Sequence, residues 1–491
     1  MRAPANSRTP SLPLNRRPGR RFGASLLVAA WVWSGPLVTT GWTQQAADSS
    51  LVAIEGATLW DGTGNETTPS ASVVIDGDRV VCAGTIRVCP VPPGARVIDA
   101  AGRWLLPGLI DTHVHLLFRD QRGGGRGMEA DLRDLLARGI TTVRDMGNDP
   151  RTLLDLTRSI PSPRIYPMQL VAGPRFFYGR EAVHNSDGSV SAYRLPPAQV
   201  MRLLGWTPIL YQRGDRPDSV VAQAKAAGAI GLKLYADLTA AQVRELVQAA
   251  HKAGLPVWGH AWVQPASVME QAQAGQDGVV HVAGLAGELY PASVRDTLRG
   301  ATALFEATAA AATRESAHDP RVLAALDTLA RRGTFLEPTL DATVHRVAHY
   351  EATHPRYASE SEAYTKAAAD FGIEVMREAV RRRVRITAGT DHVAYGPSDE
   401  RASMAGELAL LVDSIGLTPA AALRAATADA AAAIGGEAAQ TLGIVAAGRR
   451  ADLVLLRANP LADIRAVKEV EWVMQGGQLL RPEQLRREAS P

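Results

Sequence analysis

The feature that most constrains this chain is an alternation of short apolar runs with helix-length segments between about residues 105 and 438. The intervals include amphipathic stretches, one of which is apolar at Val243, Leu246, Val247 and Ala250. The eight runs are GLIDTHVHL, TTVRDMG, RIYPMQLVAG, IGLKLYA, LPVWGHAW, DGVVHVAG, GTFLEPTL and VRITAGTD. Eight strands joined by crossover helices favour an α/β fold of the (β/α)8 TIM-barrel type. The alternative is a doubly wound open sheet, but no Gly-rich phosphate loop follows the first run.

The two ends of the chain carry a different pattern. Residues 47–104 and 439–491 contain short β-branched runs, among them LVAIEGATLW, ASVVIDG and ADLVLLRAN, separated by Gly, Asp and Pro. Strand-rich ends around a helix-rich middle predict one small β domain that is built from both chain ends. The barrel is then expected over residues 105–438.

Residues 1–46 have the character of a targeting segment. They contain six arginines and no acidic residue, and a mostly apolar stretch, residues 22–42, precedes a polar segment. A basic region before a short apolar region predicts an export signal, and therefore a periplasmic or secreted protein. The alternative is an uncleaved membrane anchor formed by residues 22–42.

The charge balance excludes nucleic acid as a partner. The whole chain has 53 Lys and Arg against 50 Asp and Glu, but without the six arginines of the targeting segment the balance is 47 against 50. No basic patch then remains to attract a polyanion. Once the signal is removed, no membrane partner is expected either.

The chain has two cysteines, Cys82 and Cys89, which are too few for a disulfide scaffold or for a thiolate zinc site. In an exported chain they could pair across a hairpin. Equally, Cys82 could be a small buried apolar residue. The sequence leaves both interpretations open.

Polar side chains recur where the predicted strands end, which is the reactive face of a parallel barrel. The first run ends with two histidines separated by one valine, and the strand period of two turns both imidazoles to the same side. Imidazole nitrogens and carboxylate oxygens are the ligands that zinc and similar divalent ions prefer. A single histidine would more often be structural, but several at successive strand ends predict a metal site. Its candidate ligands are His113, His115, Lys233, His260, His281 and Asp391.

Lys233 is the unusual member of this set. A cationic lysine beside metal ions is electrostatically unfavourable, and a buried one is costly. It could extend from the barrel rim or meet a carboxylate. Alternatively, a deprotonated Lys233 could take up CO2 to form a carbamate, an anion able to bridge two metal ions.

The motifs PGLIDTHVHL, GLKLY, GHA, VVHVAG and AGTD, followed by LGIVAAGRRADLVLL, occur in this order over roughly residues 51–480. In this combination the chain resembles the amidohydrolase superfamily. It looks most like the binuclear branch related to imidazolonepropionase, which includes prolidase-like and Xaa-Arg-type dipeptidases. The resemblance also implies a split β-sandwich, in agreement with the strand-rich ends.

The resemblance implies a role for each candidate ligand. His113 and His115 would bind the first metal ion, and His260 and His281 the second. Carboxylated Lys233 would bridge two divalent ions, with zinc as the preferred metal. Asp391 would contact the first ion and handle protons. Position 263 is Val where the superfamily's mononuclear deaminases commonly have Glu, which argues against deamination.

This chemistry predicts a hydrolase. A hydroxide that bridges two metal ions is a nucleophile at neutral pH, because the cations lower the pKa of water. Asp391 would pass the proton to the leaving nitrogen. We expect hydrolysis of an amide or peptide-like C–N bond in a dipeptide or N-acyl amino acid. Opening of a cyclic amide, imide or lactone is the alternative. A non-catalytic descendant should lack ligands, and all six are present.

Substrate contacts are less constrained by the sequence. His184 lies in a predicted loop after the third strand, and Tyr235 lies just beyond Lys233. Both are candidates for binding the small-molecule amide or dipeptide substrate. Arg144 and Arg180 are candidates for holding a substrate carboxylate. Barrels of this kind often associate, so a homo-oligomer is an open expectation.

Overall fold

The computed structural model describes residues 51–117, 127–158, 160–175, 207–298, 307–308, 310–313, 315–344, 358–393 and 403–488. The predicted targeting segment, His184 and Arg180 lie outside these residues. Within them, no helix is both long enough and apolar enough to span a bilayer.

The first described strands belong to a mixed sheet. In chain order they are β1 (Leu51–Leu59), β2 (Thr68–Asp76), β3 (Arg79–Gly84), β4 (Arg96–Asp99) and β5 (Trp104–Pro107). β5 lies in this sheet, so the mixed sheet extends past the boundary that the sequence placed at residue 104. The disulfide Cys82–Cys89 joins β3 to the segment that follows it, and its Cα atoms are 5.4 Å apart. The structure therefore selects the paired state of the two cysteines.

The second sheet is parallel throughout, and each of the eight predicted runs contributes to it. Its strands are β6 (Leu109–His115), β7 (Ile140–Asp145), β8 (Arg164–Ala172), β9 (Ile209–Leu210), β10 (Gly231–Leu234), β11 (Val257–His260), β12 (Gly278–Val280), β13 (Phe335–Glu337), β14 (Arg385–Ile386) and β15 (His392–Val393). The spatial order is β14-β13-β12-β11-β10-β8-β7-β6-β15, with β9 beside β8. Parallel neighbours require crossover connections, which explains the helix-length intervals.

Helices connect and flank these strands. The α-helices are Met128–Ala137, Pro150–Thr157, Pro217–Ala227, Ala240–Lys252, Val268–Ala274, Ala292–Arg295, Pro320–Arg332, Ala358–Arg381, Met404–Asp413, Pro419–Ala425, Ala428–Ile434, Gly436–Thr441 and Pro482–Glu488. The 3-10 helices are Val282–Leu289, Glu315–His318 and Ile464–Lys468. Local sequence sets several starts: capping boxes of Thr239 with Gln242 and of Ser267 with Glu270 satisfy the first amides of two helices.

The chain returns to the mixed sheet through β16 (Leu453–Leu456), β17 (Val470–Gln475) and β18 (Gln478–Leu480). The order of this sheet is β18-β17-β16-β5-β1-β2-β3, with β4 also paired to β1. Because β16 pairs with β5 in antiparallel register, the two ends of the chain share one sheet. This confirms the prediction that both ends build the same β-rich unit.

The edges of the parallel sheet come from one stretch of chain, residues 385–393. β14 at its start pairs with β13, and β15 at its end pairs with β6. Between them, Thr387 N donates to Leu336 O at 3.2 Å, and Ala388 O accepts from Thr112 N at 3.2 Å. The ladder of paired strands is open between β14 and β15, so the described sheet is curled but its pairing is not continuous.

Candidate metal centre

The first strand of the parallel sheet ends in the two histidines that the sequence singled out. His113 is 0% exposed and His115 is 8% exposed, and their ring centroids are 5.3 Å apart. The strand period of two places both rings on the same face of β6. The structure thus brings this predicted pair together.

Asp391 lies between β14 and β15 and approaches both histidines. Its Oδ1 lies 3.4 Å from His113 Nε2 and 3.3 Å from His115 Nε2. The adjacent Thr390 is fixed to β6, because Asp111 accepts hydrogen bonds from Thr390 N at 3.0 Å and from Thr390 Oγ1 at 2.6 Å. Burial raises the pKa of Asp111 to about 7. Asp111 therefore holds the segment that carries Asp391 against β6.

The remaining histidines complete a chain of rings. The His281 centroid lies 4.8 Å from that of His113 and 4.4 Å from that of His260. One potential ligand atom from each of His113, His281 and Asp391 falls within 4.8 Å of the others. This trio combines two residues predicted for the first metal ion with one predicted for the second. Burial is the main cause that holds the pKa of His260 and of His113 well below the usual value, which favours the neutral form of both rings.

Lys233 is buried at the end of β10 with 1% exposure. Its Nζ has no hydrogen-bond partner among the described residues. Burial lowers the pKa of Lys233 to about 7, although the nearby carboxylates Glu337 and Asp391 act in the opposite direction. An amine with this pKa is largely neutral under mildly basic conditions.

Glu337, the last residue of β13, was not among the residues predicted from the sequence. Its carboxylate is 0% exposed and lies 2.6 Å from His113 Nδ1 and 3.0 Å from Arg144 Nη2. Thr112 Oγ1 donates a short hydrogen bond to the same carboxylate. Burial raises the pKa of Glu337, and the charge of Arg144 opposes that rise. A carboxylate at the end of the otherwise apolar run TFLE was a signal that could have identified it.

The proposal that Arg144 holds a substrate carboxylate is wrong. The Arg144 side chain is 0% exposed, and its Nε donates to Thr112 O at 2.8 Å. Its guanidinium also lies 3.6 Å from the centroid of the Trp258 ring. Burial lowers the pKa of Arg144 to about 10. Arg144 lies on β7 with its side chain in the protein interior, where its guanidinium pairs with Glu337.

Of the two predicted substrate contacts, the structure describes Tyr235. Its ring centroid lies 4.4 Å from that of His260, and the residue is 9% exposed. Tyr235 therefore borders the cluster of histidines. His184 lies outside the described residues, so its role stays a prediction.

The turns that follow several strands of the parallel sheet contain non-glycine residues with positive φ. Five non-glycine residues with positive φ follow the last strands of the parallel sheet: Asp237 (58°), Gln264 (50°), His281 (66°), Thr339 (50°) and Asp391 (53°). Such conformations are uncommon outside glycine, and they concentrate at functional sites where the surrounding structure enforces them. Two of the five are candidate ligands.

A cavity of about 530 Å³ lies elsewhere, where β8 begins and meets the mixed sheet. Its lining includes Arg164 and Arg450. These arginines pair with acidic neighbours, Asp452 at 3.3 Å and Asp78 at 2.6 Å. None of the candidate metal ligands lines this cavity, and Arg164 and Arg450 already pair with carboxylates.

The donors at the strand ends fit a divalent metal ion. His113 Nε2 and Lys233 Nζ are buried without hydrogen-bond partners among the described residues. Buried polar atoms normally find a partner, and neutral imidazole beside carboxylate is a preferred ligand set for zinc and related ions. The described residues can thus hold such an ion between His113, His281 and Asp391.

Comparisons with known proteins show which proteins this chain is similar to. The family model described as "Amidohydrolase family" matches residues 104–480. Ochratoxinase of Aspergillus niger is 37% identical over 125 residues, which are 25% of each chain. Imidazolonepropionase of Caulobacter vibrioides is 28% identical over 222 residues, 38% of this chain and 52% of that protein. The matches thus span between a quarter and about half the length of these relatives.

A solved structure shows the same fold over almost the whole molecule. A prolidase in complex with N-methylphosphonate-L-proline has a TM-score of 0.66 and 23% identity, covering 88% of this chain and 99% of that one. At this identity the likeness concerns the fold alone. Since the family model matches residues 104–480, which is most of the chain, the chain belongs to the amidohydrolase family.

Proposed function

We propose that this protein is a metal-dependent hydrolase that cleaves an amide or peptide-like C–N bond in a dipeptide or N-acyl amino acid. The observation that carries the proposal is the convergence of His113, His281 and Asp391 at the strand ends of an amidohydrolase-family chain. Relatives named ochratoxinase and imidazolonepropionase and a structural neighbour named prolidase support a hydrolytic activity.

The proposed cofactor is a pair of divalent ions, with zinc as the preferred metal. The ligands would be His113, His115, carboxylated Lys233, His260, His281 and Asp391. The lowered pKa of Lys233 supports the carbamate, because only the neutral amine adds to CO2, releasing one proton. The resulting anion removes the conflict between a cationic lysine and the metal ions.

The closed (β/α)8 barrel with its small sandwich is part of the same proposal. Residues 385–393 would act as the eighth strand, since they hydrogen bond to β13 on one side and to β6 on the other. This arrangement carries Asp391 to the first strand. A curled but open sheet would not bring the last strand end beside the first.

The chain's own residues explain how such a site would work. Divalent ions, when bound, would supply Lewis acidity and a water molecule of lowered pKa. Asp391 accepts the proton of the attacking water and returns it to the leaving nitrogen. This proton is needed because an amide nitrogen is a poor leaving group without it. Tyr235 and His184 would bind the substrate near the histidines.

A second candidate function keeps the same site and opens a cyclic amide, imide or lactone. The similarity to proteins named imidazolonepropionase favours keeping it, since an imidazolone is a cyclic amide-type ring. The two candidates differ in the substrate and share the proposed ligands.

We also propose that the protein is exported, to the periplasm or the medium. The disulfide Cys82–Cys89 supports this location, because disulfides persist in oxidising compartments. Anchoring by residues 22–42 is the alternative. The expected partner is a small-molecule amide. We expect no nucleic-acid partner, and no membrane partner once the signal is removed. We also propose that the protein forms a homo-oligomer.

The test combines metal analysis of the purified protein with a hydrolysis screen of dipeptides, N-acyl amino acids, lactams, imides and lactones. We expect about two metal ions per chain and turnover of one substrate class. Lys233→Ala should lose metal and activity, and short-chain carboxylates should restore part of both. Lys225→Ala, on an exposed helix position, is the matched control.

Two outcomes would contradict the binuclear proposal. One is a wild-type protein with fewer than about one metal ion per chain. The other is a Lys233→Ala variant with the activity and metal content of the control. Turnover of cyclic substrates alone would select the second candidate function.

A further inference from the structure

We propose that the end of β13, which forms from the seventh predicted run, positions the metal centre without providing a ligand. Glu337 and Thr339, two residues apart, each hydrogen bond to Nδ1 of a different histidine, His113 and His281. We infer that they are positioning residues, which fix the orientation and tautomer of these two rings. This inference rests on the proposed function, since it concerns the same ligands.

The contact between Glu337 and His113 determines one tautomer. Glu337 Oε1 lies 2.6 Å from His113 Nδ1. A carboxylate accepts hydrogen bonds, so the ring proton resides on Nδ1 and the Nε2 lone pair faces Asp391 Oδ1, 3.4 Å away. Arg144 Nη2 donates to Oε2 of the same carboxylate at 3.0 Å and holds it in place.

The contact between Thr339 and His281 determines the other tautomer by elimination. Thr339 Oγ1 lies 2.8 Å from Pro338 O and 2.8 Å from His281 Nδ1. A hydroxyl has one proton, and the carbonyl oxygen of Pro338 can only accept it. Thr339 therefore accepts the Nδ1 proton of His281, whose Nε2 is then the coordinating nitrogen.

The backbone makes this geometry rigid. His281 N donates to Glu337 O at 3.0 Å, which ties the end of β12 to the end of β13. Thr339 has a φ of 50°, and the next two amides, of Leu340 and Asp341, donate to the buried carboxyl of Glu407 at 3.2 and 2.7 Å. The turn that carries Thr339 is thus fixed from behind by the helix Met404–Asp413.

Side chains that orient metal ligands in this way commonly change metal affinity when they are replaced. A residue with only a packing role would change stability instead. The two roles are therefore separable by measuring metal binding and ring tautomers together with folding.

The experiment compares Glu337→Gln, Thr339→Val and Thr339→Ser with the wild type, using Zn²⁺ titration and the absorption spectrum of the Co²⁺-loaded protein. We expect Zn²⁺ affinity to fall roughly 10–100-fold in Glu337→Gln and in Thr339→Val, with a changed Co²⁺ spectrum. Thr339→Ser should recover the wild-type values because it restores the acceptor. Thr157→Val, which removes a buried hydroxyl bonded to Leu153 O, is the matched control.

The tautomers are read directly from ¹⁵N-histidine NMR of the metal-free protein. We expect two histidines in the Nδ1–H form that change in Glu337→Gln and in Thr339→Val respectively. If Glu337→Gln does not fold, the Thr339→Val and Thr339→Ser pair still tests the inference on His281.

The outcomes separate the two hypotheses. A wild type that binds no metal overturns the proposed function, while the NMR spectra still decide the tautomers. Unchanged metal affinity, Co²⁺ spectrum and tautomers in folded Thr339→Val would overturn the positioning role and leave the proposed function intact.

Discussion

One ion pair in the parallel sheet and one in the mixed sheet differ in how far their side chains are exposed to solvent. In the parallel sheet, Glu337 and Arg144 form an ion pair whose side chains are both 0% exposed. In the mixed sheet, the side chains of the Arg103–Glu471 pair are 39% and 24% exposed. Moving charges out of water is costly, so they persist inside a protein only where partners compensate them. The buried pair contacts His113, one of the proposed metal ligands, whereas the mixed sheet contributes none of them.

The largest effect is expected from a substitution at the proposed metal site of the parallel sheet. Asp391→Asn removes the proposed proton carrier, so kcat should fall roughly 10²–10⁴-fold while the fold is kept. The measurement is steady-state kinetics with circular dichroism on the same samples. Asp78→Asn, whose partner is Arg450 in the mixed-sheet region, should keep wild-type kcat. Equal activity losses in both variants would refute the division of roles.

The two ion pairs provide the next test. Arg144→Met leaves the Glu337 carboxylate buried without its cation, and we expect the free energy of unfolding to fall by about 3–5 kcal/mol. Arg103→Met removes a partly exposed pair and should cost about 0–1 kcal/mol. Urea denaturation measures both. Similar losses would show that burial of the pair has no energetic consequence.

The pH dependence of stability sharpens the comparison further. Burial raises the pKa of Glu407 from 4.5 to about 8. Between these values the native state keeps a proton that the unfolded state has released. The free energy of unfolding should therefore decrease as pH rises through this window, by about 1.4 kcal/mol per pH unit at most.

Glu407→Gln cannot titrate, so the metal-free variant should lose that part of the slope. Urea denaturation of both proteins between about pH 5 and pH 8 measures the difference. Parallel stability curves for wild type and variant would contradict a raised pKa at Glu407.

The smallest expected effect lies in the mixed sheet. Replacing Cys82 and Cys89 together by serine opens a short covalent loop, which should lower the free energy of unfolding by about 2 kcal/mol. Activity should be unchanged, because the disulfide lies beside β3 rather than at the strand ends of the parallel sheet. A matching loss of kcat in the folded variant would show that the mixed sheet contributes to the reaction.

Much of the fold followed from local pattern. All eight predicted runs form or contain strands of one parallel sheet, because β-branched apolar runs bounded by turn residues have few other stable arrangements. The amphipathic stretch with Val243, Leu246 and Val247 forms a helix with these residues buried. The position of β5 in the mixed sheet and the pairing of residues 385–393 with both β13 and β6 were not predictable, since they depend on contacts between distant segments.

Residues at the strand ends were predictable for a geometric reason. Parallel strands place their carboxyl ends at one edge, so His113, His281 and Asp391 meet although they are far apart in sequence. Arg144 showed the limit of this reasoning, because its residue type was compatible with substrate binding and its position on β7 was not. Glu337 was overlooked because a single carboxylate in a run does not reveal its partner.

The sequence by itself determined the candidate ligands and the strand runs that carry them, because periodicity and residue type are local properties. Only the tertiary structure decided how buried charges are paired and which side chains contact Nδ1 of His113 and of His281. Glu337 and Thr339 reach His113 and His281 across strands, and such contacts depend on distances of a few ångströms between segments that the sequence separates widely.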